Sequence, residues 1–148
     1  MIAVIQRVLN ANLKVDGQLI SEIEKGFVVY LGVAKGDEKA DADFLAKKIT
    51  SLRIFEDENG KINLSIKDVG GEILLVSQFT LLANARHGNR PDFLGAESPD
   101  KANEMYEYAL NKFNENGVVT KRGVFGADMH IIQYNQGPFT IILDTEKE

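Results

Sequence analysis

Only two stretches of this chain place apolar residues at helical spacing; nearly every other apolar run has strand character. The first is residues 40–53, where Phe44, Leu45, Ile49 and Leu52 share one face and Lys47 and Lys48 lie on another. Asp37 and Asp41 sit near its start, where acid complements the helix dipole. The second opens at Ser98-Pro99, with Ser98 as N-cap and Pro99 at the first helical position. Its buried stripe is Ala102, Met105, Tyr106, Ala109, Leu110 and Phe113, and Asn116-Gly117 ends it.

The remaining pattern predicts seven to nine strands. Residues 2–8 form one. Leu13 to Val15 and Gln18 to Ile23 form a hairpin about Asp16-Gly17, a pair suited to the positive φ angles of a type I′ turn. Phe27 to Val33 is an unbroken apolar run, as a buried strand requires. Ile62 to Ile66, Glu72 to Phe79 and Val118 to Val124 follow. Met129 to Tyr134 and Phe139 to Leu143 make two more, separated by Asn135-Gln136-Gly137-Pro138. A charged tail, Thr145 to Glu148, closes the sequence. The expectation is an α+β fold: a largely antiparallel sheet curled into barrel-like layers, with two main helices packed outside, in a single domain over residues 1–148.

Composition removes several function classes. The chain has 148 residues and no Cys, so thiolate nucleophiles, iron–sulfur clusters and Cys-bound zinc are excluded. Two His and no clustered carboxylates make a metal centre a poor expectation. No cofactor is expected either: Walker A and dinucleotide fingerprints are absent, as are G-x-S-x-G and H-E-x-x-H. Asp57-Glu58-Asn59-Gly60 reads as a turn, because the later ligands of a calcium loop are missing. The net charge of −5 argues against non-specific binding of duplex nucleic acid but leaves a small contact open. With no membrane-length apolar run and no signal-peptide pattern, a cytoplasmic protein is the expectation.

Five features are candidates for chemistry, each with a bland alternative. Ser77-Gln78-Phe79-Thr80-Leu81 ends the apolar strand Ile73-Leu74-Leu75-Val76. It is either the start of a loop or a strand end offering hydroxyls and backbone N–H groups, which can stabilise an oxyanion without a charged side chain. Asn135-Gln136-Gly137-Pro138-Phe139-Thr140 is either an ordinary hairpin turn or a bulge with a specially placed X-Pro bond. Arg7 falls in the buried pattern of the first strand, to be paired with carbonyls or a carboxylate or else left at an edge. Arg86-His87-Gly88-Asn89-Arg90 is a phosphate-holding loop or solvated surface. Gly123 to Met129 is a shelf for a base or a bulged connection. His130, in an alternating strand, reads as a satisfied structural residue rather than a base.

Together these segments resemble the D-aminoacyl-tRNA deacylase family, also described as D-tyrosyl-tRNA deacylases, from end to end. The resemblance runs through Ile5-Gln6-Arg7-Val8, Leu52-Arg53-Ile54-Phe55, Asn63-Leu64-Ser65, Ser77-Gln78-Phe79-Thr80-Leu81, Arg90-Pro91, Phe125-Gly126-Ala127-Asp128-Met129 and Asn135-Gln136-Gly137-Pro138-Phe139-Thr140. Two family signatures, S-Q-F-T-L and N-x-G-P-[VF]-T, occur in order.

The resemblance implies a homodimeric, metal-independent enzyme that cleaves the ester between a D-amino acid, or glycine, and the 3′-terminal adenosine of tRNA. It implies a cis Gly137-Pro138 peptide that reaches into the partner's site and excludes L side chains, with Arg7 locking that segment. Ser77, Gln78, Phe79 and Thr80 would line the pocket for adenosine and ester, with Phe79 and Thr80 catalytic through their backbone N–H groups. Phe125, Ala127 and Met129 would pack beside the adenine. Thr80 is the family's traditional nucleophile candidate, yet the sequence places no basic partner beside it. Phe139 stands where Val is commoner, and the loop ending at Arg90 is less basic than in many relatives, with Lys121-Arg122 as candidate replacements. The competing readings are a related deacylase editing L-alanine or glycine, and a non-catalytic RNA-end or replication-associated binding protein on the same scaffold.

Overall fold

The structure is a computed structural model describing residues 1–146, so the last two residues of the charged tail lie outside it. The strands are β1 (Ile2–Val15), β2 (Gln18–Ile23), β3 (Gly26–Gly32), β4 (Arg53–Glu56), β5 (Ile62–Ser65), β6 (Glu72–Ser77), β7 (Thr120–Arg122) and β8 (His130–Asp144). The helices are α1 (Lys39–Ser51) and α2 (Pro99–Glu115), with a short 3-10 turn at Phe79–Leu82. The main sheet runs β2-β1-β3-β6-β7, and β8 lies along β1. β4 and β5 form a separate antiparallel pair.

β1 organises the sheet. Its first half pairs with β3, its second half with β2, and its other edge with β8 on both sides of an interruption at residues 136–139, all antiparallel. The Asp16-Gly17 turn has positive φ at both residues, as the hairpin requires. β3–β6 and β6–β7 are parallel. Parallel neighbours need crossover connections, and the two crossovers carry α1 and α2 over one face of the sheet. The sheet nearly closes between β2 and β7, where the Ser21 hydroxyl donates to the Arg122 carbonyl and Lys121 Nζ donates to the Glu22 carbonyl, both at 2.6 Å.

Both faces of the central strands are buried, which explains their unbroken apolar runs. Phe27, Val29, Leu31, Ile73 and Leu75 face the helices, meeting Leu45 and Ile49 of α1 and Tyr106 and Phe113 of α2. Val28, Leu74 and Val76 face the inside of the curl, with Val8, Ala11, Leu13 and Ile23. Each large side chain so buried contributes on the order of 1.5–3 kcal/mol. β1 serves both cores: Ala3 and Ile5 belong to the first, and Val8, Ala11 and Leu13 to the second. The change falls at Arg7 and Val8, beside register shifts in the β8 pairing.

Several local expectations are corrected. β1 is one strand of 14 residues, not residues 2–8 plus a hairpin arm. β8 is likewise one strand of 15 residues that carries Gly137-Pro138 within it, so this segment is not a hairpin turn. Phe44 is 48 % exposed, whereas Ala42, Leu45, Ala46, Ile49 and Thr50 form the buried face of α1. Glu38 is the N-cap of α1, and its N–H donates to the Asp41 carboxylate at 2.8 Å. Ser98 occupies the N-cap of α2, but its side chain makes no capping bond; its carbonyl accepts from Ala102 N–H. Strand character at Val118–Val124 is confined to β7, and β6 ends at Ser77.

Candidate active site

β6 ends abruptly because the chain turns into the 3-10 helix. Gln78 N–H donates to the Leu31 carbonyl at 2.8 Å, and Leu81 N–H to the Gln78 carbonyl at 3.3 Å. Phe79 and Thr80 open the 3-10 turn, so their own backbone N–H groups have no acceptor within it. Gly32 makes the close approach possible. A Cβ there would lie 2.7 Å from Leu82 Cδ2, 3.0 Å from the Gln78 carbonyl oxygen and 3.1 Å from Leu81 Cβ.

A small cavity of about 250 Å³ lies against this strand end. Ser77, Gln78, Phe79, Phe125, Ala127 and Met129, six of the expected site residues, line it. Gly126, from the Gly123–Met129 shelf candidate, and Val76 and Ile131, two apolar strand residues with no signal of their own, complete the wall. Thr80 lies beside it on the exposed turn, where its hydroxyl accepts from the Gln78 side-chain amide. An amide N–H cannot remove a proton from that hydroxyl.

The Phe125–Met129 wall is held from behind. Tyr106 is buried in α2; its hydroxyl donates to the Leu75 carbonyl at 2.7 Å and accepts from Gly123 N–H at 2.9 Å. Burial pushes the Tyr106 phenol up from its ordinary value, against the smaller opposing effect of the Gly123 N–H. The Met129 sulfur packs against Gly123, where an added Cβ would lie 2.8 Å from it. Tyr106 was legible only as part of an apolar stripe, although a buried tyrosine hydroxyl generally finds a partner.

Arg7, Gly137 and Pro138 form a second, separate cluster. Between Gln6↔Thr140 and Val8↔Asn135, β1 has one residue and β8 has four, so β8 bulges opposite Arg7. The Gly137-Pro138 peptide within the bulge is cis and both residues are exposed. Arg7, only 4 % exposed, donates from Nη1 to the Ile54 carbonyl at 2.8 Å and from Nε to the Gln136 carbonyl at 3.4 Å. Its Nη2 lies 3.7 Å from Glu56 Oε1. Gly137 and Pro138 are not among the residues lining the cavity of the same chain. A polar side-chain network flanks the bulge: Tyr30 donates to Gln133, and Gln133 donates to Gln6 and Asn135.

The charged candidates divide cleanly. Arg86, His87 and Arg90 are exposed and have no ion-pair partner among the described residues. Lys121 and Arg122 are occupied by Glu72 and Glu107, so they are poor replacements for loop cations. His130 is exposed, with its Nε2 3.2 Å from the Asp128 carboxylate. Among the described residues, no group of three or more His, Asp or Glu is placed to hold a metal ion.

A helix-backed, nearly closed mixed sheet carries, at the end of β6, a pocket that includes the rings of Phe79 and Phe125 beside the opening residues of the 3-10 turn. The sequence profile described as D-Tyr-tRNA(Tyr) deacylase matches residues 4–144. The chain is 52 % identical over 147 residues to the D-aminoacyl-tRNA deacylase of Geotalea daltonii, covering 99 % of this chain and 98 % of that one. It is 48 % identical to that of Syntrophus aciditrophicus, covering 99 % of each. A solved structure described as c-Myc DNA Unwinding Element Binding Protein superposes with a TM-score of 0.92 at 40 % identity, covering 97 % of this chain and 98 % of that one. Another, described as a probable eukaryotic D-amino acid tRNA deacylase, shares the fold with a TM-score of 0.79 at 16 % identity, covering 96 % of this chain and 98 % of that one. The chain belongs to the D-Tyr-tRNA(Tyr) deacylase family.

Proposed function

We propose that the protein is a D-aminoacyl-tRNA deacylase that hydrolyses the ester between a D-amino acid, and glycine, and the 3′-terminal adenosine of tRNA. The observation that carries this reading is the convergence of Ser77, Gln78, Phe79, Phe125, Ala127 and Met129 on one cavity beside the free amides of Phe79 and Thr80. The adenine packs against Phe125, Ala127 and Met129. The ester carbonyl meets the two amides, which stabilise the oxyanion as water attacks. The Thr80 hydroxyl accepts from the Gln78 amide and is hydrogen-bonded to no base among the described residues, so it is not the nucleophile in this scheme. The 2′-hydroxyl of the terminal ribose assists the water, and neither metal nor cofactor is required.

Chirality is set from the partner subunit of a homodimer. Gly137 and Pro138 are exposed and do not line their own chain's cavity, which is consistent with presentation to a second copy. Ile132, Tyr134 and Ile142 on the same strand are all more than 60 % exposed, an apolar surface suited to burial between protomers. A glycine-proline main chain forms a rigid wall that accepts many side chains of one handedness. The whole of residues 1–148 acts as one such domain, in the cytoplasm; no described helix is long and apolar enough to cross a membrane.

The test is deacylation of D-tyrosyl-tRNA beside L-tyrosyl-tRNA at equal enzyme concentration with chelator present. Rapid loss of the D ester alone is expected. The name of the 40 % identical solved structure motivates a second reading, a nucleic-acid binding protein without turnover. Retained tRNA binding with neither ester cleaved would select it.

A further inference from the structure

A second cleft, of about 480 Å³, adjoins the first and shares Phe79, Phe125 and Gly126 with it. Its walls are mostly apolar. Phe79, 54 % exposed, is braced edge-on by Phe93 with ring centroids 5.1 Å apart, and Pro99 and Ala102 of α2 supply the floor. Two charged side chains, Lys35 and Glu97, break the apolar lining. Backbone bonds fix both: Lys35 N–H donates to Gly95 and Glu97 N–H to Val33, each at 3.0 Å. The Glu97 carboxylate accepts from Ser98 N–H at 2.8 Å, which holds it below the usual carboxylate range and ionised at neutral pH.

We propose that this cleft is the subsite for the penultimate nucleotide of the tRNA acceptor end, a cytidine whose base stacks on the Phe79–Phe93 platform and whose N4 amino group donates to Glu97. The inference rests on the reading that the adjoining cavity holds the terminal adenosine. A strand leaving that cavity across Phe79 and Phe125 enters the second cleft next. Every tRNA carries the same cytidine–cytidine–adenosine end, so a built site for one base suits all substrates, whereas the amino-acid side chain varies. Carboxylate acceptance from the cytosine amino group is a standard base-edge pairing, and aromatic stacking supplies affinity. Uracil presents a carbonyl at the same position, which an ionised carboxylate repels. Lys35 supplies a cation for the linking phosphodiester.

The test measures binding of the trinucleotides CCA and CUA, and of AMP, to the full chain by NMR titration, with wild type and Glu97→Gln. Wild type is expected to bind CCA about ten-fold more tightly than AMP, and CUA about five-fold or more weakly than CCA. In Glu97→Gln the preference for CCA over CUA should fall below about two-fold, because a carboxamide can accept from cytosine or donate to uracil. Unchanged AMP binding by the variant establishes that it is folded and its first cavity intact. Equal binding of CCA and CUA by wild type overturns the proposal, as does failure of all three ligands to bind. If D-alanyl- and D-tyrosyl-adenosine hydrolysis responds unequally to Glu97→Gln, the cleft holds the amino-acid side chain and the proposal falls. If CCA is preferred through Glu97 but no ester is cleaved, the subsite stands and the deacylase reading falls.

Discussion

The Arg7 guanidinium lies 4.9 Å from the centre of the Phe139 ring while its Nε donates to the carbonyl of Gln136, so one buried cation grips β8 on both sides of Gly137-Pro138. Phe139 gives that grip an aromatic face. Arg7→Ala leaves the Ile54 and Gln136 carbonyls without this donor. It should cost about 1–3 kcal/mol in urea denaturation, with D/L discrimination falling with it. Arg7→Lys should not restore discrimination, since a compact ammonium lacks the planar fork that reaches both carbonyls and the Phe139 ring.

Thr80→Ala should keep activity on D-tyrosyl-tRNA within about ten-fold of wild type. Loss of a true nucleophile costs about four orders of magnitude or more. A rate at background would return Thr80 to that role.

Gly32→Ala tests the support of the strand end. The added methyl would meet the Gln78 carbonyl at 3.0 Å and Leu81 Cβ at 3.1 Å, pushing the 3-10 turn away from β3. A stability loss of about 1–3 kcal/mol is expected, with a kcat decrease that persists at temperatures where the variant is fully folded.

Gly137→Ala addresses the other cluster. Its φ of +128° and the 2.8 Å approach of a Cβ to Phe139 N both oppose a side chain. The backbone strain alone is about 1–3 kcal/mol, so the bulge should shift. Discrimination between D and L esters should fall more than binding of free adenosine does.

The phenol of Tyr106 gives a pH prediction. Its pKa is raised on folding by burial, so the native state favours the neutral form. The stability this contributes is fully present below about pH 10 and is lost as pH rises towards the higher folded value. Alkaline unfolding followed by circular dichroism should be less steep in Tyr106→Phe. That variant should also lose about 0.5–1.5 kcal/mol at neutral pH, since Gly123 N–H and the Leu75 carbonyl give up the hydroxyl but keep their own 3.2 Å bond to each other.

The sequence carried the helices and the central strands because their burial follows simple periods. α2 shows its stripe at helical spacing, and β3 and β6 are apolar on both faces because both faces are covered. β1 and β8 were harder to read. The exposed residues Leu9 and Asn10 interrupt the alternation of β1 where it passes from one core to the other, although the backbone continues. In β8, Pro138 mimics a turn, while the pairing with β1 resumes at Thr140. Phe44 fits a helical face by spacing yet points to solvent, because the buried face of α1 is centred on Ala42, Leu45, Ala46 and Ile49. The site's motifs were visible as odd residue types, but their sorting into a cavity and a separate bulge depends on tertiary placement. Phe93 and Glu97 gave little signal: each is a single residue in a loop whose polarity hides it.

The passage of β1 between the two cores makes this strand intolerant of changes in length. A residue inserted before Arg7 would turn Ala3 and Ile5 outward, and one inserted after Val8 would do the same to Ala11 and Leu13. Either event would turn one half of β1 inside out against a core that the other half still fills, so a one-codon insertion far from the cavity would cost the fold. The hairpin-like loop between Asn84 and Asp92, closed by its own two backbone bonds, can lengthen without that penalty. Change in chain length is therefore open at the loop and closed at the strand.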